Sequence, residues 1–178
     1  FNTPDGTGGF NQSLEPQVAK NIEVGLRGSL TQRQRYEIAL FSTQVDDELI
    51  PFEITATPGR NYYQNVGESQ HDGLEFSWTA NFTDRLQSTV SYAYADFTFN
   101  NGLVIPGTAK NTLYASLSYE HPRGWFVAGD ALAVDDQFGD NANSAAGFVD
   151  GYSLANLRAG YEADVGRMTL SPFVGLNN

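Results

Sequence analysis

The chain has 178 residues, no cysteine, 13% aromatic residues and a formal net charge of −11 at pH 7. Without cysteine, these residues cannot form a disulfide framework or a thiolate metal site. The acidic balance argues against a nucleic-acid partner, because binding phosphates requires a basic surface. The sequence contains no run of about 18 apolar residues, which excludes a membrane-spanning helix within it.

Eight segments alternate apolar and polar residues with a period of two, which predicts an all-β fold of antiparallel strands. A further short strand is predicted around Leu49–Ile54, inside the first long connection. In chain order, the eight predicted strands are Asn21–Leu30, Arg35–Val45, two strands within residues 67–99, Asn111–His121, Gly124–Val134, Tyr152–Ala163 and Arg167–Leu176.

The connections between these strands alternate in length. Short turns follow the odd-numbered strands, and longer segments, residues 46–71, 97–110 and 135–151, follow the even-numbered ones. In a meander of hairpins, this order places the tight turns at one end and the long loops at the other. Outer-membrane barrels have this asymmetry, with short periplasmic turns and longer extracellular loops. A soluble meander has no physical reason to sort its loops by length.

The two faces of the predicted strands differ strongly in chemistry. Tyrosines lie near strand ends on the apolar face, as they do where a membrane meets water. We therefore predict that the apolar face meets lipid and that the polar face lines a wet interior. Pro172 fits neither a membrane barrel nor a soluble sandwich well, and inside a closed barrel, which has no free edge, a strand proline loses a ladder hydrogen bond. The charged and amide residues of the polar face are Glu23, Arg27, Glu37, Glu75, Gln87, Glu120 and Arg158, and the tyrosines are Tyr92, Tyr94, Tyr119 and Tyr161.

Short motifs, taken in order, resemble those of TonB-dependent outer-membrane receptors. Residues 13–28, SLEPQVAKNIEVGLRG, are similar to the family segment L-x-P-E-x-x-x-N-x-E-x-G-x-K, although Glu15 precedes the proline and Gln17 follows it. YQNVG at 63–67, followed by GLE at 73–75, resembles the pattern Y-x-N-x-G…G-x-E. The segment at 105–111 resembles the step P-G-x-P-x-H/N, with Ala109 in place of the second proline. GYSLANLRAGYE at 151–162 and the terminal VGLNN resemble the last strands of the family.

This resemblance implies the C-terminal part of a barrel of about 22 strands, without the plug domain and the last strand. The implied function is TonB-dependent active uptake of a ferric siderophore or similar metal chelate across the bacterial outer membrane. The implied partners are outer-membrane lipid, the ferric siderophore or chelate, and TonB in the full-length receptor, whose contact site is absent from these residues. Two alternatives stay open. One is a small self-contained eight-stranded outer-membrane barrel with a structural role, and the other is a soluble β-sandwich binding module.

The long loops carry the candidate ligand contacts. Tyr62, Tyr63, Phe138 and Phe148 are aromatic residues that could stack on a siderophore or haem, or pack the loops onto each other. His71 is a candidate haem ligand, although a lone histidine at a strand start is more often plain polar surface.

The acidic loops also suggest a metal. Asp135, Asp136 and Asp140 offer the oxygen ligands that calcium prefers, although their spacing does not match an EF-hand and solvated acidic loops explain them as well. The sequence shows no convincing Ser/His/Asp arrangement, paired catalytic carboxylates or phosphate-binding loop. We therefore predict a protein that is not an enzyme and has no cofactor apart from this loop-bound calcium.

Overall fold

The computed structural model describes Thr3 and residues 11–178, which form strands and turns. None of these residues belongs to a helix that could cross a membrane. The strands are β1 (Val18–Thr31), β2 (Gln34–Asp46), β3 (Leu49–Glu53), β4 (Asn61–Asn65), β5 (Ser69–Asn81), β6 (Leu86–Phe99), β7 (Asn111–Glu120), β8 (Trp125–Val134), β9 (Gln137–Phe138), β10 (Phe148–Val149), β11 (Tyr152–Tyr161), β12 (Ala163–Val165), β13 (Met168–Leu170) and β14 (Phe173–Asn177).

Eight of these strands form one antiparallel sheet in the order β1-β2-β5-β6-β7-β8-β11-β14. The other six form three two-stranded hairpins, β3–β4, β9–β10 and β12–β13, inside the connections. Every strand of the large sheet therefore pairs with its neighbours along the chain, and the predicted all-β meander is confirmed. Between β1 and β14 the sheet formed by the described residues is open, so it is not the closed eight-stranded barrel of the first alternative.

The register of the ladder collects apolar side chains on one face. One row of apolar side chains crosses five neighbouring strands, from β1 to β7. It consists of Leu26, Ile38, Phe76, Tyr92 and Leu113, each the register partner of the next. Leu26 is 61% exposed, because no second sheet covers this face in the described part of the chain. A soluble β-sandwich needs two such sheets packed face to face. The sandwich alternative is therefore wrong.

The opposite face is polar and concave. It encloses a recess of about 440 Å³, whose lining includes Glu23, Glu37 and Glu75 from three neighbouring strands, with Thr112 and Tyr114 from β7. These glutamates lie on the face predicted to be wet. The division into an apolar and a polar side is the one expected from the alternation in the sequence.

The connections are sorted by length as predicted, with one difference at the tight-turn end. Residues 162–172 form a longer connection there, because they contain the hairpin β12–β13. The predicted strand Arg167–Leu176 is therefore interrupted: Met168–Leu170 pairs within the hairpin, and Phe173–Asn177 joins the large sheet beside β11. Pro172 lies between β13 and β14, where its missing N–H costs no ladder bond, and its carbonyl accepts the N–H of Tyr161 at 3.0 Å.

Gly73 in β5 makes room for an aromatic ring on the polar face. A Cβ atom at this position would lie 2.3 Å from Cζ of Phe41, its register partner in β2, and 2.9 Å from the carbonyl oxygen of Tyr94. The Phe41 ring in turn meets Phe97 edge-on, with 6.1 Å between ring centroids. The glycine of the GLE motif is thus required by the packing of its neighbour.

We expect Gly73→Ala to lower the free energy of unfolding by about 1–3 kcal/mol, since the new methyl group displaces the Phe41 ring. Gly175→Ala is the matched control, because a Cβ there meets nothing closer than a carbonyl oxygen at 3.8 Å. Urea unfolding of both variants in detergent micelles measures the difference. Equal stability of the two variants would contradict the packing role of Gly73.

Candidate functional site: the long-loop cluster

The three long connections lie at one end of the sheet and contact each other. They are loop A (residues 47–68, containing β3 and β4), loop B (100–110) and loop C (135–151, containing β9 and β10). The N–H of Asn100 donates to the carbonyl of Glu68 at 2.9 Å, which joins loop B to loop A. Asn141 Nδ2 donates to the carbonyl of Pro51 at 3.2 Å, which joins loop C to loop A. The loops therefore form one hydrogen-bonded cluster.

Asn143 joins loop C to loop B through its carboxamide. Its Oδ1 accepts the N–H of Val104 at 2.7 Å, and its Nδ2 donates to the carbonyl of Val104 at 2.8 Å. Its backbone has a φ of +49°, in the left-handed region that asparagine tolerates better than most residues. The Asn143 carboxamide thus pairs with the backbone of Val104 as the backbone of a neighbouring strand would. The N–H of Gly107, which donates to the carbonyl of Phe138 at 2.8 Å, adds a second link between these loops.

Asn65 in β4 makes an equivalent link at the base of loop A. Its Oδ1 accepts the N–H of Glu15 at 2.9 Å, and its Nδ2 donates to the carbonyls of Glu15 at 3.1 Å and Asp47 at 2.7 Å. Glu15 belongs to the SLEP motif and Asn65 to the YQNVG motif. Two segments that were noted separately in the sequence are therefore held together by one side chain.

Of the four aromatic candidates, Tyr62 is used for packing. It is 1% exposed, its ring lies 6.1 Å from that of Phe52, and the Arg60 guanidinium lies 5.5 Å from the ring centroid. Its hydroxyl is hydrogen-bonded to that of Thr57 at 3.0 Å. These contacts form a small core inside the β3–β4 hairpin. Tyr62 therefore offers no surface to a ligand in this conformation.

The other three aromatic candidates are more accessible. Phe138 and Phe148 form a cross-strand pair in β9–β10, with ring centroids 5.5 Å apart in an edge-on arrangement. Phe148 keeps 42% of its surface exposed, whereas Phe138 is half-buried. Tyr63, next to Tyr62 in β4, is also half-buried. Ligand contact at these positions stays a prediction.

Two of the candidate calcium ligands, Asp135 and Asp140, are hydrogen-bonded to different parts of the chain. Asp140 folds its own loop: Oδ1 accepts the N–H groups of Ala142 at 2.9 Å and Ser144 at 3.1 Å, and Oδ2 accepts the Ser144 hydroxyl at 2.5 Å. The Ser144 hydroxyl and the backbone N–H groups lower the pKa of Asp140 below its ordinary value. Asp135 accepts a hydrogen bond from Asn111 Nδ2 at 2.5 Å.

No group of three or more His, Cys, Asp or Glu side chains among residues 11–178 is placed to hold a metal ion. The calcium site at Asp135, Asp136 and Asp140 therefore remains a prediction without a preformed cage.

A cluster that sequence reasoning missed lies where loop A leaves the sheet. The Ser69 hydroxyl donates to Glu48, and the same serine oxygen lies 3.1 Å from His71 Nε2. The Glu48 carboxylate is 3.5 Å from that nitrogen, and the His71 ring stacks on Phe97 with centroids 4.7 Å apart. Ser69 is buried, at 2% exposure. His71 therefore anchors the loop rather than forming plain polar surface.

This cluster does not form a nucleophilic triad. In such a triad the acid binds Nδ1 of the histidine while the serine lies at Nε2. Here both the serine and the carboxylate approach Nε2, and the serine proton is directed at Glu48. The only sequence signal was the period of two, which places Ser69 and His71 on the same face of β5.

Comparison with known proteins agrees with this geometry. The family model described as TonB dependent receptor-like, beta-barrel matches residues 1–178. The chain therefore belongs to the TonB-dependent receptor β-barrel family.

Among curated proteins, the chain is 26% identical over 152 residues to the probable TonB-dependent siderophore receptor PiuA of Acinetobacter baumannii. That match covers 75% of the chain and 20% of the relative, so the chain spans about a fifth of the relative's length.

Three solved receptor structures have the same fold over most of the chain. The siderophore receptor PiuA from A. baumannii gives a TM-score of 0.64 at 22% identity, over 80% of this chain and 22% of its own. The ferric-catecholate import receptor Fiu from E. coli gives 0.68 at 23% identity, over 88% and 22%. BauA, the ferric preacinetobactin receptor from A. baumannii, gives 0.71 at 18% identity, over 92% and 25%.

We expect Asn143→Gly to loosen loop B from loop C at Val104, since it removes the two side-chain hydrogen bonds to Val104, of about 1 kcal/mol each, while glycine accepts the positive φ. Hydrogen exchange at the amide of Val104 reports the release directly. Asn101→Gly is the control, because among the described residues the Asn101 side chain bonds the N–H of Leu103 in its own loop and nothing in loop C. Unchanged exchange at Val104 in Asn143→Gly would contradict the link.

Ser144→Ala should raise the pKa of Asp140 toward its ordinary value of 3.8, because it removes the largest cause of the lowering. Since the folded pKa is depressed, the ionised carboxylate stabilises loop C above pH 3.8, and that contribution is lost as the pH falls through the lower folded pKa. Titration of isotope-labelled aspartate by NMR measures the change, with Ser91→Ala in β6 as control. An unchanged Asp140 titration would show that the hydroxyl does not act on the carboxylate.

Proposed function

We propose that the chain forms part of an outer-membrane receptor that takes up a ferric siderophore in a TonB-dependent manner. The observation that carries this proposal is the family match over residues 1–178 on a sheet with one uncovered apolar face. In this arrangement the apolar face meets lipid. The backbone N–H and C=O groups of the inner strands need no partner on that face, because they pair with neighbouring strands within the sheet. The polar face with Glu23, Glu37 and Glu75 lines the water-filled or plugged interior.

The orientation follows from the connections. The tight turns lie on the periplasmic side, and loops A, B and C lie on the extracellular side, where a ligand arrives. These loops are acidic, because their carboxylates outnumber their two basic residues, Arg60 and Lys110. The carboxylates are Asp47, Glu48, Glu53, Glu68 and the four aspartates of loop C. An acidic rim disfavours direct capture of an anionic ferric complex by charge. The proposed contacts are therefore stacking contacts, for which Phe148 offers the largest exposed ring of the four candidates.

The names of the relatives support the substrate class. PiuA is named as a siderophore receptor, Fiu as a ferric-catecholate import receptor and BauA as a ferric preacinetobactin receptor. A catechol-bearing ferric complex presents flat aromatic faces, which suit an exposed phenylalanine.

The function is tested by uptake of radioactive iron into cells that carry or lack the intact receptor, with iron supplied as ferric catecholate or as free ferric citrate. We expect receptor-dependent uptake of the siderophore complex that disappears when TonB is inactivated. Receptor-dependent uptake that persists without TonB, or no receptor-dependent uptake of any ferric siderophore, would contradict the proposal.

We expect Phe148→Ala to raise the Kd for the ferric siderophore by about tenfold, corresponding to about 1.4 kcal/mol for a lost stacking contact. Phe148→Tyr keeps the ring and should bind as the parent does. Binding is measured by quenching of intrinsic fluorescence on the purified receptor. Phe138→Ala distinguishes ligand stacking from loop packing. An equal loss of siderophore affinity in both alanine variants would mean that the Phe138–Phe148 pair only packs loop C.

A further inference from the structure

The hairpin β12–β13 extends from the end of the sheet that carries the tight turns. Each of its strands has three residues. Because side chains alternate between the two faces of a strand, the hairpin has an apolar face and a polar face. The apolar hairpin face consists of Ala163, Val165, Met168 and Leu170. On the polar face, the Thr169 hydroxyl donates to the Asp164 carboxylate at 2.7 Å.

The apolar hairpin face is uncovered. Val165 is 51% exposed, Met168 63% and Leu170 51%. The two strands pair only with each other, so no further strand of the described chain shields them. An exposed apolar patch bordered by polar residues marks a contact surface. The other connections at this end, residues 32–33, 82–85 and 121–124, are tight turns that contain no hairpin of their own.

Aromatic residues mark the level at which the hairpin begins. Tyr161 is the last residue of β11 and stands opposite Trp125 in β8. The Trp125 ring lies 5.3 Å from that of Tyr119 and is stacked on that of His121 at 4.5 Å. Tyrosine and tryptophan concentrate where the hydrocarbon core of a membrane meets the headgroups. A hairpin that starts two residues after Tyr161 therefore begins at headgroup level.

The apolar hairpin face continues the apolar face of the large sheet. Leu157, Ala159 and Tyr161 stand on the apolar side of β11, and the two-residue period carried through Glu162 brings Ala163 and Val165 to the same side. In the second arm of the hairpin, Met168 and Leu170 are separated from Val174 of β14 by even numbers of residues, which places them on the same apolar side as Val174. Both arms of the hairpin thus extend the surface assigned to lipid.

We propose that the β12–β13 hairpin is a membrane-interface anchor whose apolar face lies against the phospholipids of the periplasmic leaflet. Three residues of strand reach about 10 Å, which is enough to cross the headgroup region of one leaflet, about 5–8 Å thick. Gly166, with a φ of +66°, forms the tip, and Arg167 beside it places a cation among the headgroup phosphates. This inference rests on the membrane placement proposed above.

The test uses the intact receptor, free of other cysteines, reconstituted into vesicles of phosphatidylethanolamine and phosphatidylglycerol. Single cysteines at Met168→Cys and, as matched control on the polar face, Thr169→Cys carry a nitroxide spin label. Electron paramagnetic resonance then measures collisions with oxygen, which concentrates in lipid, and with a water-soluble nickel chelate. We expect a several-fold higher ratio of oxygen to nickel accessibility at position 168 than at position 169.

A third label, Leu117→Cys, reports on the apolar face of the large sheet. Leu117 is 52% exposed there. A lipid-exposed label at 117 with a water-exposed label at 168 would overturn the anchor and leave the membrane placement intact. A water-exposed label at 117 would overturn both. Protection of position 168 from both reagents would show that a protein, and not lipid, covers the hairpin.

Discussion

The strand register is the constraint on which the rest of this structure depends. Side chains alternate between two faces, so the apolar row through Leu26, Ile38 and Phe76 exists only while β1, β2 and β5 keep their alignment. A slip of one residue between β2 and β5 would move every side chain of one strand to the other face. The Phe41 ring would then meet a residue with a Cβ in place of Gly73. Steric fit on the polar face and apolar continuity on the other therefore favour the same alignment.

The loops use side-chain amides where the ladder ends. Asn65 and Asn143 each offer one acceptor and one donor to the backbone N–H and C=O of a single residue, so each extends β-type pairing into irregular chain. At the base of loop A, the cluster of Glu48, Ser69 and His71 ties the loop to β5 through side chains alone. These contacts hold the three long loops together without lengthening the sheet.

Much of the fold could be predicted from the sequence, because alternation is a local signal that each strand carries by itself. The sheet, the sorting of the connections and the identity of the two faces follow from it. The β12–β13 hairpin could not be separated from β14, since Met168, Leu170, Val174 and Leu176 keep the same period on both sides of Pro172. The contacts between the loops could not be predicted from the sequence for a different reason. Partners such as Asn143 and Val104 are 39 residues apart, and the sequence around either residue does not indicate the other.

The order of the sheet also bears on how the chain assembles. Within the described part of the chain, each strand of the large sheet pairs with the strands that precede and follow it in that sheet, without a crossover. In such a topology each pairing requires closure of only the one connection between two successive strands, and the entropy of that closure grows slowly with its length. Each hairpin can form on the edge left by the one before it. A chain built this way can add its strands to the sheet in the order in which they occur in the sequence.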